Sequence, residues 1–231
     1  MTSMWLPLES NPDVMNEYVS KLGISSSWIY TDVYGFDPEL LGFIPRPCRA
    51  VLLLFPITEK YEQFRKDEQS RIEQSGQTVS DQVYFVRQTI GNACGTIGLI
   101  HSLLNNRDAI DLGNGAIKSI WDQTQGISPE QRAKTLESSK ELARIHDESS
   151  HQGQTHAPSA DEEVDLHFIC FVEKERHIYE LDGRKPFPIN HGVATGDLLN
   201  DSVEVIKKFM EREPDQLNFT AIALVRNPDE A

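Results

Sequence analysis

The stretch VDLHFICFVEKERHIYELDG, residues 164–183, decides what kind of sheet this chain builds. Two runs rich in β-branched and aromatic residues, 164–172 and 177–181, are separated only by Glu173 to Arg176. A connection that short joins antiparallel neighbours, because a parallel crossover needs a dozen residues or more. His167 interrupts the first run, and a polar ring in a buried strand must find a hydrogen-bond partner. A symmetric turn centred between Lys174 and Glu175 pairs residues whose numbers sum to 349, so Val172 faces His177 and His167 faces Asp182. Directly opposed side chains share a face with Cβ atoms about 4.5–5.5 Å apart. An imidazole and a carboxylate so placed can bond, either as a structural pair or as a base and the group that orients it. A slip of one residue would send Asp182 to the other face.

Working outward, residues 28–34 and 49–55 read as strands, the second apolar throughout and so buried on both faces. Residues 82–87 and 219–225 read as two more, giving six strands with those of the hairpin. Asn11-Pro12 before Val14, Met15, Tyr18, Val19 and Leu22 is an N-cap, a first-turn proline and an apolar stripe, closed by Gly23. Further helices are expected over 59–74, charged and mostly solvated, over 95–104, apolar and buried, and over 197–211. Ser128-Pro129-Glu130 opens another that runs to about Ile145. Residues 146–163 contain no large apolar side chain and read as a flexible loop. The pieces on either side have too few strands to stand alone, so residues 1–231 read as one domain, α/β or α+β in class.

The second informative stretch is QTIGNACGT, residues 88–96. Small and polar residues connect the end of one element to an apolar helix that begins at or just before Cys94. The positive end of a helix dipole stabilises a thiolate, and cysteines so placed or paired with imidazole titrate at roughly 3.5–7.5. A thiolate is the form that attacks carbonyl carbon. Gln88 can offer its amide N–H to a developing oxyanion, with the Cys94 backbone N–H as a second donor. The competing reading is a small buried thiol, the usual fate of free cysteine. Gly91, Asn92 and Gly95 count against it, since apolar packing has no use for them. Cys48 and Cys170 lack this setting and read as inert. Of the other histidines, His146, His151 and His156 fall in the polar loop and His101 on the helix after Cys94, none of them placed to serve as a fixed base.

Composition narrows the partners. With 22 basic and 36 acidic side chains the formal charge is −14, which argues against nucleic acid and anionic membrane, both of which need a basic footprint. No window approaches the roughly 20 apolar residues of a membrane span, and residues 1–8 do not read as a signal peptide. Three widely spaced cysteines without a CxxC suit neither a disulfide framework nor a structural metal site; reduced thiols in the cytoplasm fit, with no metal and no cofactor.

These blocks resemble the ubiquitin C-terminal hydrolases of the small single-domain type. QTIGNACGT at 88–96 is similar to the family's nucleophile signature, VDLHF at 164–168 to its histidine block and YELDGRKPFPINHG at 179–192 to its aspartate block. The likeness runs from WLPLE at 5–9 to FME at 209–211 and is nearest to the isozyme type called L-three. The resemblance implies an α+β fold: a papain-like cysteine protease core, with a central antiparallel six-stranded sheet flanked by helices and a knotted backbone. It implies a thiol hydrolase acting after the C-terminal glycine of ubiquitin or a Nedd-type modifier. Its catalytic set would be Cys94, His167, Asp182 and Gln88, it would need no cofactor, and it would work as a monomer. Residues 146–163 would be a crossover loop above the cleft, limiting leaving groups to small or flexible ones. By position, Leu8, Glu9, Asp13, Asp32, Val164 and Leu166 would contact ubiquitin. The alternative is a ubiquitin-sequestering protein with negligible turnover; an unrelated acyltransferase is more remote.

Overall fold

A computed structural model describes residues 4–154 and 165–230. Six strands form one sheet: β1 (Trp28–Val33), β2 (Cys48–Pro56), β3 (Leu166–Lys174), β4 (His177–Leu181), β5 (Ile189–Val193) and β6 (Thr220–Arg226). Their order is β1-β6-β2-β3-β4-β5, and every neighbouring pair is antiparallel. The helices are α1 (Pro12–Lys21), α2 (Pro38–Leu41), α3 (Glu59–Ser75), α4 (Cys94–Leu104), α5 (Ala116–Thr124), α6 (Pro129–Ser138), α7 (Lys140–Ser150) and α8 (Leu198–Arg212). No helix among the described residues is long and apolar enough to cross a membrane.

The central strands are apolar throughout because each face has its own cover. Leu52, Phe168, Cys170, Val172, Ile222 and Leu224 pack with α1 and α4 on one side. Val51, Leu53, Phe55, Ile169, Phe171, Ala221 and Ala223 pack against Leu199, Val203, Ile206 and Phe209 of α8 on the other. The period-2 alternation of a strand divides one sequence run between two cores. Helix α4 is buried from Gly95 to Leu104. It can lie so close to the sheet because it carries Gly98, where an added Cβ would sit 3.2 Å from Leu52 Cδ2.

The β3–β4 register differs from the expected one. Val172 pairs with Tyr179 and Lys174 with His177, so paired numbers sum to 351. The turn is tighter because Glu175 and Arg176 both adopt positive φ, 48° and 63°, the backbone of a two-residue type I′ hairpin. The shift is two residues, so every side chain keeps its face. Asp182 is not directly opposite His167; it lies one residue past the end of β4.

Tyr84, Phe85 and Val86 are buried, yet residues 82–87 are not a strand. Side chains, not a neighbouring strand, satisfy the backbone of Tyr84, Phe85 and Val86. Asn105 accepts from Tyr84 N–H at 2.7 Å and donates to Tyr84 C=O at 2.8 Å. His101 Nε2 accepts Val86 N–H at 3.1 Å, and Arg132 donates to Phe85 C=O at 2.9 Å. Burial lowers the His101 pKa to about 4, which keeps the ring neutral and able to accept. The sixth strand is instead β5, too short and polar to announce itself. The helix expected over 128–145 is broken at Ser139, which caps both α6 and α7, and α7 runs on to Ser150. The polar loop therefore starts later than residue 146, and its residues 155–163 lie outside the described residues.

Replacing Asn105 with Ala strands both backbone groups of Tyr84 in the core. The variant should lose about 2–3 kcal/mol of stability in urea denaturation, whereas a loss below 0.5 kcal/mol would mean that the segment re-pairs elsewhere.

Candidate active site

Cys94 is the first residue of α4, preceded by Asn92 at φ 59° and by Ala93, whose methyl cannot cap the helix. The first-turn N–H groups are left to face whatever occupies the cleft. The Cys94 thiol is half-buried. His167 is the second residue of β3 and shares a face with Phe55, its cross-strand partner. Since α4 covers the opposite face, the two come together at the end of the sheet, where His167 is near enough to lower the Cys94 pKa. The other imidazole nitrogen, Nε2, donates to Asp182 Oδ1 at 2.7 Å, and both side chains are buried. Asp182 also accepts Arg184 N–H on Oδ1 at 2.8 Å and the Tyr61 hydroxyl on Oδ2 at 3.1 Å.

Burial alone would push each of these groups toward its neutral form, and the neighbours reverse it. For His167, burial is outweighed by the charge and hydrogen bond of Asp182, and the pKa rises to about 9. For Asp182, burial is outweighed by the charge and hydrogen bond of His167, with help from Lys185 and Arg184 N–H, so the carboxyl stays well below the usual carboxylate range. For Cys94, burial is outweighed by the neighbouring His167 and by N–H groups of Phe168 and Gly95, and the pKa falls below its ordinary value. Burial pushes Cys48 up to about 12 and Cys170 well above its ordinary value, with no such compensation for Cys170. The arrangement favours a thiolate–imidazolium pair at Cys94 alone.

Gln88 is brought to the same place by its backbone. Its N–H donates to Gly183 C=O at 2.8 Å, immediately beyond Asp182. A Cβ at Gly183 would lie 2.8 Å from Gln88 Cβ, so glycine is what lets the two segments touch. The Gln88 amide donates to Ile90 C=O at 3.1 Å and retains a second N–H.

Five of the six expected ubiquitin contacts lie among the described residues. Leu8 is buried against Gly95. Glu9 accepts Asn11 Nδ2 at 3.1 Å and the Gln154 N–H at 3.3 Å. Asp32, on β1, has its pKa raised by burial and by the nearby charge of Asp13 in the first turn of α1. Leu166 opens β3, opposite Pro56. Val164 lies outside the described residues.

His146 was expected in a mobile loop and is instead a buried residue of α7. Its Nε2 must carry the proton, since its partner at 2.6 Å is the Leu6 carbonyl. Nδ1 then accepts the Thr96 hydroxyl at 2.8 Å, and burial lowers the ring's pKa to about 4. This histidine ties the N-terminal segment to the helix that starts at Cys94. Sequence reading missed it because the flanking residues are polar and α7 is amphipathic only when continued through Ser149. Tyr61 and Arg184 were missed as well, for they reach Asp182 from elements whose docking no local pattern encodes.

The family model for "Ubiquitin carboxyl-terminal hydrolase, family 1" matches residues 5–211. This chain belongs to that family. A probable ubiquitin carboxyl-terminal hydrolase of Dictyostelium discoideum is 47% identical over 228 residues, covering 98% of this chain and 89% of that one. The human isozyme L1 is 44% identical over 222 residues, 95% and 97% of the two chains. The fold matches the catalytic domain of Trichinella spiralis UCH37 bound to ubiquitin vinyl methyl ester, with a TM-score of 0.77, 24% identity and 96% of each chain covered. These likenesses establish the family without separating the L-three type from the L1 type.

In the folded protein near neutral pH, iodoacetamide should modify Cys94 while Cys48 and Cys170 stay unmodified. The Cys94 rate should fall as the pH drops through its lowered pKa. Mass mapping of equal labelling at the three thiols would contradict the assignment.

Proposed function

We propose that this chain is a cysteine-type ubiquitinyl hydrolase that releases small or flexible adducts from the C-terminal glycine of ubiquitin. The observation that carries the reading is the buried 2.7 Å His167–Asp182 bond set against a thiol at a helix N-terminus. Cys94 attacks the carbonyl carbon of that glycine, and Gln88 Nε2 and the Cys94 backbone N–H receive the oxyanion. His167, held as imidazolium by Asp182, gives its proton to the departing amine or thiol. The thioester is then resolved by water, with His167 now acting as the base. No step calls for a cofactor or a metal. We take the working form to be a single-domain cytoplasmic monomer, and a Nedd-type modifier is the second candidate substrate. A pure ubiquitin-sequestering role would leave the complete Cys94, His167, Asp182 and Gln88 set without use.

Ubiquitin bearing a C-terminal electrophile should form an adduct on Cys94, and the same reagent built on a Nedd-type modifier compares the two substrates. Asp182→Asn should fold but turn over at least about a hundredfold slower, about 2.7 kcal/mol of transition-state stabilisation. Turnover of the wild type should decline as the pH rises through about 9, where His167 loses the proton it must donate. Wild-type rates in Asp182→Asn would sink the catalytic reading.

Residues 155–163 should act as a size filter if they bridge the cleft. Inserting Gly-Ser pairs there should leave cleavage of a small adduct nearly unchanged, since closure of a doubled loop costs only about 0.6 kcal/mol. Cleavage of ubiquitin fused to a folded domain should rise. A constant ratio between the two substrates over several insertion lengths would place the filter elsewhere.

A further inference from the structure

Helix α3 is charged along most of its length, and its buried residues are two, Tyr61 and Glu68. They are seven apart and so lie two turns from one another on one face. Both reach the same four residues, Asp182 to Lys185. The Tyr61 hydroxyl donates to Asp182 Oδ2 at 3.1 Å. Glu68 Oε2 pairs with Lys185 Nζ at 2.7 Å, with both side chains buried. Between them Glu62 pairs with Arg184 at 2.7 Å. Lys185 is gripped from the sheet side too, by Glu180 of β4, which also binds His191 of β5 at 2.8 Å. The turn itself closes through Lys185 N–H on Asp182 C=O at 2.9 Å.

A helix usually docks through an apolar stripe, and α3 docks largely through polar groups. Taking Glu68 and Lys185 out of water costs much of what their attraction returns, so a buried pair of this kind is a poor source of stability. What it does supply is direction. We propose that α3 braces the catalytic carboxylate, with Tyr61 and Glu68 as positioning residues that act on the reaction only through Asp182 and the turn that carries it. The inference rests on the catalytic reading of Asp182 given above. Asp182 lies beyond the last strand pairing, so the sheet alone does not hold it. Tyr61 removes the rotational freedom left by the two bonds on Oδ1, and Glu68 anchors the turn through Lys185. The ring of Tyr61 is itself locked edge-on against Phe55, with centroids 4.7 Å apart.

The test is a double-mutant cycle on cleavage of a fluorogenic ubiquitin C-terminal amide. Tyr61→Phe, which keeps the ring packing, should lower kcat about tenfold with KM unchanged. In an Asp182→Asn background the same substitution should change kcat by less than about twofold, because groups acting as one unit are non-additive. Glu68→Gln should show the same pattern with a smaller first step, and it carries the cycle if Tyr61→Phe does not fold. A wild-type kcat in both single variants would overturn the brace. So would an equal loss in the two backgrounds, the mark of a merely structural role. Should Asp182→Asn alone retain full activity, the catalytic reading fails and the brace with it. If Asp182→Asn is slow while the α3 substitutions are additive, only the brace fails.

Discussion

The closeness with which α4 lies on the sheet sets everything else at the site. The helix is buried along its length, and Gly98 opposite Leu52 is what allows that approach. A helix enclosed this way presents its unpaired N–H groups at one end only, and Cys94 stands there. His167 comes from β3, the strand that α4 covers, so helix-to-sheet packing fixes the gap between thiol and imidazole. Hydrophobic burial thus does most of the positioning, with a buried Tyr30–Ser102 hydroxyl pair between β1 and α4 beside it.

Burial also creates the electrostatic demand. A thiolate, an imidazolium and a carboxylate would each revert to the neutral form if buried alone. Held together they stabilise one another, and the Tyr61 hydroxyl and the Arg184 N–H take up lone pairs of Asp182 that would otherwise be orphaned. The site is therefore cooperative: no one member keeps its working protonation state without the others. The same logic keeps His101 and His146 neutral, where burial outweighs the hydrogen bonds each ring makes and the charges of Asp182 and Asp147. The three buried histidines among the described residues thus serve different ends, one held charged beside Asp182 and two neutral as backbone clasps.

The hairpin shows how a sequence argument can reach the right pair by an inexact route. The expected turn was two residues too loose, because positive φ at Glu175 and Arg176, neither of them glycine, leaves no compositional mark. The pair survived since strand side chains alternate with period 2, and a shift of two preserves the face. Residues 82–87 failed for the opposite reason. Their apolar, aromatic pattern is that of a buried segment, and Tyr84, Phe85 and Val86 are indeed buried. What a strand also needs is a neighbour to pair with, and Asn105, His101 and Arg132, distant in sequence, took that place.

By itself the sequence determined the antiparallel hairpin, the buried helix beginning at Cys94, a candidate nucleophile at its start, and a histidine and an aspartate within reach of one another. Those are properties of local periodicity, turn length and side-chain chemistry, all written within a few residues of each other. Only the tertiary structure decided how Asp182 is held beyond the end of its strand, that Gly183 brings Gln88 to the site, and that His146 is a clasp. It alone placed Tyr61 and Glu68 against the turn. Each of those depends on segments far apart in the chain meeting with ångström precision, and close packing between elements, which no local pattern records, is what sets such distances.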